Sequence, residues 1–244
     1  MAIDKNIIQM HRGYSSLGPF ERVSLERWKL LNPGWNYMFF SNDKGDAVVA
    51  ELLGERYNDY RKFHFGARNN IRRLALLFKL GGIYADIDMY PLAPLDDYVP
   101  TDKERVLFSC DGNRNLFHNS ILASSARDPM TMDIINLAFD RLTTRPQPHA
   151  ANNHSEWKDW HFNACGVHCF NDVYHMYEKL GDAVAGADSD PNYAGQDGYT
   201  PLEEMKNYHM KTGCWTPESS GVQAGEMHLK QMVELDRVKE RFCI

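Results

Sequence analysis

The sequence predicts an α/β fold, a mostly parallel sheet flanked by helices, and three observations predict it. Short apolar runs alternate with segments of helical periodicity, the arrangement that places helices on the faces of a parallel sheet. One helix of clear periodicity ends in a glycine pair and passes at once into a strand, the junction expected between layers. The composition, 43% hydrophobic and 12% aromatic over 244 residues, is that of a packed globular protein. A single domain of that length buries roughly 70–75% of its unfolded surface.

In chain order, "KNIIQM" at 5–10 reads as a buried first strand, and "NPGWNYMFFSNDKGD" at 32–46 as a turn, a strand over Trp35–Phe40 and a polar loop. Residues 45–64 are helical in pattern. In "FGARNNIRRLALLFKLGG", Ile71, Leu74, Ala75 and Phe78 fall at i, i+3, i+4 and i+7, with Asn69 or Asn70 as N-cap and Gly81–Gly82 as C-cap. The next strand sends Ile83, Ala85 and Ile87 to one face and Tyr84, Asp86 and Asp88 to the other. "RVLFSC" at 105–110 and "NSILAS" at 119–124 read as strands, and 130–142 as a helix. Residues 145–162 and 186–201, rich in Pro, Gly, Asn and Asp, read as long loops of the kind that face substrates, and 228–242 as a closing helix.

A net charge of −6 argues against a broad phosphate-backbone interface, so no nucleic-acid partner is expected. The longest purely apolar run, "LALLF" at 74–78, is far too short for a membrane span, and the first residues lack the apolar stretch of a signal peptide. Five cysteines without a C-x-x-C pair suit a reducing compartment, so a soluble cytoplasmic protein is expected.

Charge in the middle of "GGIYADIDMYPLAPLDD" calls for a partner. With a strand period of two, Asp86 and Asp88 project to one side, and like charges that close are unfavourable unless a cation lies between them. All-oxygen ligation completed by water and phosphate suits Mg²⁺ or Mn²⁺ and implies a diphosphate-bearing substrate. The opposing reading is a pair of solvated aspartates at a sheet edge. The second D-x-D, Asp188–Asp190, lies in a Gly/Pro-rich stretch and reads as solvated charge. Arg73 shares a helix face with Asn70 and Leu77 and reaches toward the same pocket.

"ARNNIRRLALLFKLGGIYADIDMYPLAPLD", residues 67–96, resembles the core of glycosyltransferase family 32 and is similar to the glucosyltransferase domains of large clostridial toxins. The family's pattern A-x-S-D-x-x-R, apolar helix, G-G-x-Y-x-D-x-D is met by Arg73, Gly81, Gly82, Tyr84, Asp86 and Asp88. "IDKNIIQMH" resembles the opening I-P-K-x-I-x-Q, which ends here on Gln9, with Asp4 in place of proline. "NPGWNYMFFSND" and "HNSILASSARDP" resemble further segments, the latter carrying Asn119, and "HMKTGCW" resembles the closing H-x-x-x-G-S-W, with Cys214 for serine.

The resemblance implies the GT-A fold, a divalent ion (Mn²⁺ or Mg²⁺), a UDP- or GDP-linked sugar donor and transfer of a hexose, with retention, to a glycan or other hydroxyl acceptor. It implies one glycosyltransferase domain over 1–244, with a nucleotide-binding half at 1–100 and an acceptor-side half at 101–244. By the same carry-over Asp88 ligates the metal, Asp86 supports it and holds the ribose, and Arg73 contacts the donor. Asn70, Tyr84, Gly82, Asn119, Trp215 and Gln9 line the substrate site, and His209 is a further metal or phosphate ligand. Asn69–Asn70 stand where the family has Ser-Asp, exchanging a carboxylate acceptor for an amide, which bears on donor choice. The residues name no nucleophile; Asp197 is a weak candidate.

Other constellations compete. "HFNACGVHC" offers His161, Cys165, His168 and Cys169 to zinc, at a spacing that fits no common zinc module. A metal-dependent phosphatase or nucleotidyl enzyme also uses D-x-D, though Met89-Tyr90-Pro91 follows it here. A carbohydrate-binding module would use the aspartates for structural Ca²⁺ and the aromatics for stacking.

Overall fold

The computed structural model describes residues 2–109, 117–145, 154–179, 186–191, 207–209, 236 and 240. The strands are β1 (Asn6–His11), β2 (Asn36–Ser41), β3 (Gly82–Ala85), β4 (Met89–Pro91), β5 (Arg105–Ser109), β6 (Phe117–Ser124), β7 (Gly186–Pro191) and β8 (Asn207–His209). The helices are α1 (Pro19–Leu31), α2 (Asn42–Leu53), α3 (Tyr57–Tyr60), α4 (Phe65–Leu80), α5 (Pro129–Thr144), α6 (His154–Ala164) and α7 (Val167–Lys179).

Six strands form one sheet in the order β2-β1-β3-β6-β5-β7, and β4 pairs with β8 in a separate ribbon. Five of the six run the same way; β6 alone is antiparallel to its neighbours β3 and β5. That reversal brings the start of β6 to the edge where β3 ends.

Successive residues of the strands feed opposite sides of the sheet, as period-two geometry demands. Ile8, Tyr84 and Leu122 pack with α2, α4, α5 and α7, while Ile7, Ile83 and Ile121 pack with Trp28, Trp35, Met89 and Leu95. Residues 19–31, which the apolar runs alone leave unassigned, form α1, started by Pro19 in the first turn and buried along Phe20, Ser24, Leu25 and Trp28. Ser24 Oγ and Trp28 Nε1 both donate to the carbonyl of Met89, at 2.7 and 2.8 Å, and tie α1 to the segment after the D-x-D.

Two ion pairs, one half-buried and one buried, join layers. Arg72 of α4 grips Asp46 of α2 with two bonds of 2.6 and 3.1 Å. Arg105 of β5 donates to Asp128 Oδ1, through Nε at 3.0 Å, while Asp128 Oδ2 caps α5 by accepting from Thr131 N and Oγ1.

Gly82 lies where β3 meets β1. Its φ is +109°, and a Cβ there would come within 2.4 Å of the Asn6 carbonyl, which is main chain and cannot turn aside. Gly82→Ala is expected to cost at least about 2 kcal/mol, read as a fall in the urea midpoint.

Several expectations are corrected. The α4 helix begins at Phe65, because His64 Nδ1 accepts from Gly66 N and serves as the cap. Asn69 and Asn70 therefore lie within the helix rather than at its start. Residues 154–164 and 167–179 are helices, and 186–191 is a strand beside β5, so both stretches read as loops contain regular elements. The strand carrying the D-x-D stops at Ala85, and Ile87–Asp88 is a turn. Of the closing helix, only Asp236 and Glu240 are described, and both are helical. Among the described residues no helix is long and apolar enough to cross a membrane.

Candidate active site

The site gathers at the carboxyl end of β3, on the side of the sheet that α4 covers. Tyr84 faces α4, and Asp86, the first residue past the strand, shares that side: Tyr84 OH donates to Asp86 Oδ1 at 2.8 Å. Arg73, two turns into α4, donates from Nη1 to Asp86 Oδ2 at 3.1 Å and to the carbonyl of Asn119. Its guanidinium lies 5.2 Å from the centre of the Tyr84 ring. Burial alone would lower the Arg73 pKa, but the charge of Asp86, aided by Tyr84 and Asp88, raises it, so the guanidinium is held charged. Burial pushes the Tyr84 hydroxyl well above its ordinary value, which keeps it a donor.

The backbone of Asp86 is pinned from three directions. Its N–H donates to Ser120 O at 2.7 Å, and its carbonyl accepts from Met89 N at 2.9 Å and from Gln9 Nε2 at 3.1 Å. Gln9 is itself held by Tyr37 OH, 2.8 Å from its Oε1. Asp88 therefore sits in a closed turn, and the strand period that was expected to align it with Asp86 does not extend that far. His11, at the end of β1, feels the charge of Asp88; burial, the dominant effect, lowers its pKa.

Asn70 is held on all sides. Its Nδ2 donates to Cys165 O at 3.0 Å and lies 3.1 Å from His161 Nε2, while its Oδ1 accepts from Asn119 Nδ2 at 3.4 Å. Both amide hydrogens are thus used inside the protein. Gly82 is taken up by its contact with β1. His209 is described only by its backbone, which pairs with Met89 across the β4–β8 ribbon, one residue from Asp88. Trp215 and Asp197 lie outside the described residues.

His161 and Cys165 come together at the end of α6, with Sγ and Nδ1 3.6 Å apart, but His168 is exposed, and Cys169 is buried in the same core as Cys165 without completing a ligand set. Among the described residues no group of three or more His, Cys, Asp or Glu side chains is arranged to hold a metal, zinc included. Burial pushes the thiols of Cys165 and Cys169 up to about 12, which makes them poor nucleophiles. Burial, with the charges of Arg73 and His64, lowers His161 from 6.5 to about 4.

A folded-state pKa below the unfolded one stabilises the fold fully above 6.5, and the contribution is lost as pH falls toward 4. Stability by urea unfolding is therefore expected to drop between pH 7 and pH 5, and less steeply in His161→Gln.

Tyr37, Ser120 and His161 join the site without a motif to announce them. Tyr37 has only its place on the β2 face to mark it, and Ser120 acts through its main chain. His161 could be found only through its spacing to Cys165.

No curated protein is similar enough in sequence to be matched with this chain. Residues 20–105 match the glycosyltransferase sugar-binding region containing a DXD motif. The fold is similar to that of the PaToxG glycosyltransferase, with a TM-score of 0.55, 16% identity and 74% of this chain and 71% of the other covered. The ligand-free glycosyltransferase domain from the YGT toxin gives 0.57 at 8% identity over 77% and 80% of the two chains, and its UDP-bound form 0.56 at 9% over 82% of each. The matched segment contains Arg73, Tyr84, Asp86 and Asp88, so this part of the chain is similar to the DXD-containing sugar-binding region of glycosyltransferases.

Proposed function

We propose that the chain transfers a hexose from a UDP-linked donor to a hydroxyl acceptor, in a divalent-metal-dependent reaction that retains the anomeric configuration. The observation that carries this reading is the Arg73–Asp86–Tyr84 group at the end of β3, with Asp88 in the turn that follows. The UDP found in the YGT toxin domain, which has a similar fold, favours the uridine nucleotide.

The donor set suits a hard divalent ion. Two carboxylates within one turn supply oxygen ligands, and few protein ligands are needed where a diphosphate and water complete the shell. Since both oxygens of Asp86 already accept hydrogen bonds from Arg73 and Tyr84, Asp88 would ligate directly and Asp86 would support it. His209, whose backbone pairs with Met89, is the candidate for a further ligand. Bound there, Mn²⁺ or Mg²⁺ would offset the negative charge that grows on the departing diphosphate.

The chain's own residues do the rest. Arg73 places a fixed positive charge beside the carboxylates, already oriented by two acceptors and so costing no reorganisation during the reaction. Tyr84 and Gln9 hold the side chain and backbone of Asp86. Asn70 faces inward, so the role of sugar ligand that the family's aspartate suggests falls to groups other than its amide hydrogens.

The test is thermal stability and turnover with a panel of UDP- and GDP-sugars, each with Mn²⁺ and with EDTA. A metal-dependent rise in melting temperature with a UDP-sugar, together with release of UDP, is expected. Stabilisation by a GDP-sugar alone, or an effect that EDTA leaves intact, would overturn the nucleotide or the metal respectively.

A further inference from the structure

We infer that His161 of α6 is a positioning residue for the Arg73–Asp86 pair, acting through Asn70 and Asn119. The inference rests on the proposed transfer reaction for its catalytic consequence, and on hydrogen bonds alone for its geometry.

His161 lies beyond the matched segment and is only 7% exposed. Its Nε2 stands 3.1 Å from Asn70 Nδ2, and the second hydrogen of that amide goes to the carbonyl of Cys165 at 3.0 Å. Asn70 Nδ2 is the donor in both bonds, so His161 Nε2 must accept, and the ring is neutral with its proton on Nδ1. Two donor bonds on one side of the amide fix which way Oδ1 points, and it points to Asn119 Nδ2 at 3.4 Å. The carbonyl of the same Asn119 accepts from Arg73 Nη1, the atom that also bonds Asp86. An unbroken series of contacts thus runs from α6 to the D-x-D.

The arrangement explains the asparagine at position 70. An aspartate in the same place would have no hydrogen to give the Cys165 carbonyl, and would meet His161 Nε2 favourably only if the ring moved its proton from Nδ1 to Nε2. The amide converts a side chain of α4 into a clamp on the α6–α7 junction. A loose junction would free Asn119 and, with it, one of the two acceptors that aim Arg73.

The test compares His161→Ala, which removes the acceptor, with His161→Gln, whose Oε1 can replace it. The first readout needs no ligand: the Arg73 Nε–Hε resonance in the free protein, a buried group with no hydrogen-bond partner among the described residues. It is expected to move in His161→Ala and to return in His161→Gln. Turnover of UDP-glucose, used as the probe, is expected to fall about ten- to a hundredfold in His161→Ala and to recover most of that in His161→Gln, as for other residues that orient a metal-site ligand. Asn119→Ala gives the same comparison should the His161→Ala chain fail to fold. Cys165→Ala removes the Sγ contacts at the same junction but keeps the main-chain carbonyl and the His161 acceptor that hold Asn70, and should leave the resonance in place. An unmoved Arg73 resonance in His161→Ala, or equal loss in His161→Gln and His161→Ala, overturns the inference. If the resonance behaves as expected but the wild type turns over no UDP-sugar, the relay stands and the proposed reaction fails.

Discussion

Replacing Asp88 by asparagine is expected to lower turnover of the nucleotide-sugar by about a thousandfold, with the melting temperature within about 2 °C of wild type. The turn that carries Asp88 is closed by a main-chain bond from Met89 N to Asp86 O, and its flank is tied by Ser24 and Trp28 to the Met89 carbonyl. Because main-chain and indole bonds hold the turn, the loss should appear in chemistry rather than folding. Asp86→Asn gives a contrasting result. Its carboxylate faces the buried Arg73 guanidinium at 3.1 Å, and removing that charge should cost both activity and about 2 kcal/mol of stability. Melting and turnover measured side by side on the two variants check the distinction; near-normal turnover in Asp88→Asn would remove the metal from the reaction.

Asp128→Ala should produce the largest loss of stability. The carboxylate is 2% exposed and performs two tasks, pairing with the buried Arg105 and accepting from Thr131 N and Oγ1 at the start of α5. Its removal leaves a guanidinium without its anion in the interior and a helix without its cap, a combined cost of about 3–5 kcal/mol. For a chain of this size that is a fall in melting temperature of about 10 °C. Asp128→Asn keeps an acceptor for Thr131 and should lose less, while the double change Arg105→Met with Asp128→Ala should recover part of the loss by removing the stranded charge. Urea unfolding of the three variants separates the cap from the ion pair.

The sequence revealed most where side-chain pattern and local geometry coincide. The 71–78 periodicity and the Gly81–Gly82 pair located α4 and β3, because helix period and left-handed glycine positions are properties of neighbouring residues. Arg73 and Asp86 meet because that helix packs back on that strand. The antiparallel sense of β6 left no trace in its apolar residues, which would suit either direction, and so the approach of Asn119 to Arg73 could not be read beforehand. The start of α4 was hidden because its cap is a histidine, a residue type with no special claim to that place. Residues 154–179 carry Asn, His and Cys that suggest loop or metal, yet Ala164, Cys165, Cys169, Phe170 and Val173 sit buried in the main core, and that tertiary burial holds the helices.

The indole of Trp28 touches the carbonyl of Met89 from inside the protein, one residue past Asp88, and is itself wholly shielded from solvent. A hydrogen bond of 2.8 Å ties this indole N–H to the turn, so a rearrangement of Asp86–Met89 would register in the ¹⁵N–¹H resonance of that ring. The molecule carries a built-in reporter of the turn, and titrations can be followed at that ring without attaching a dye.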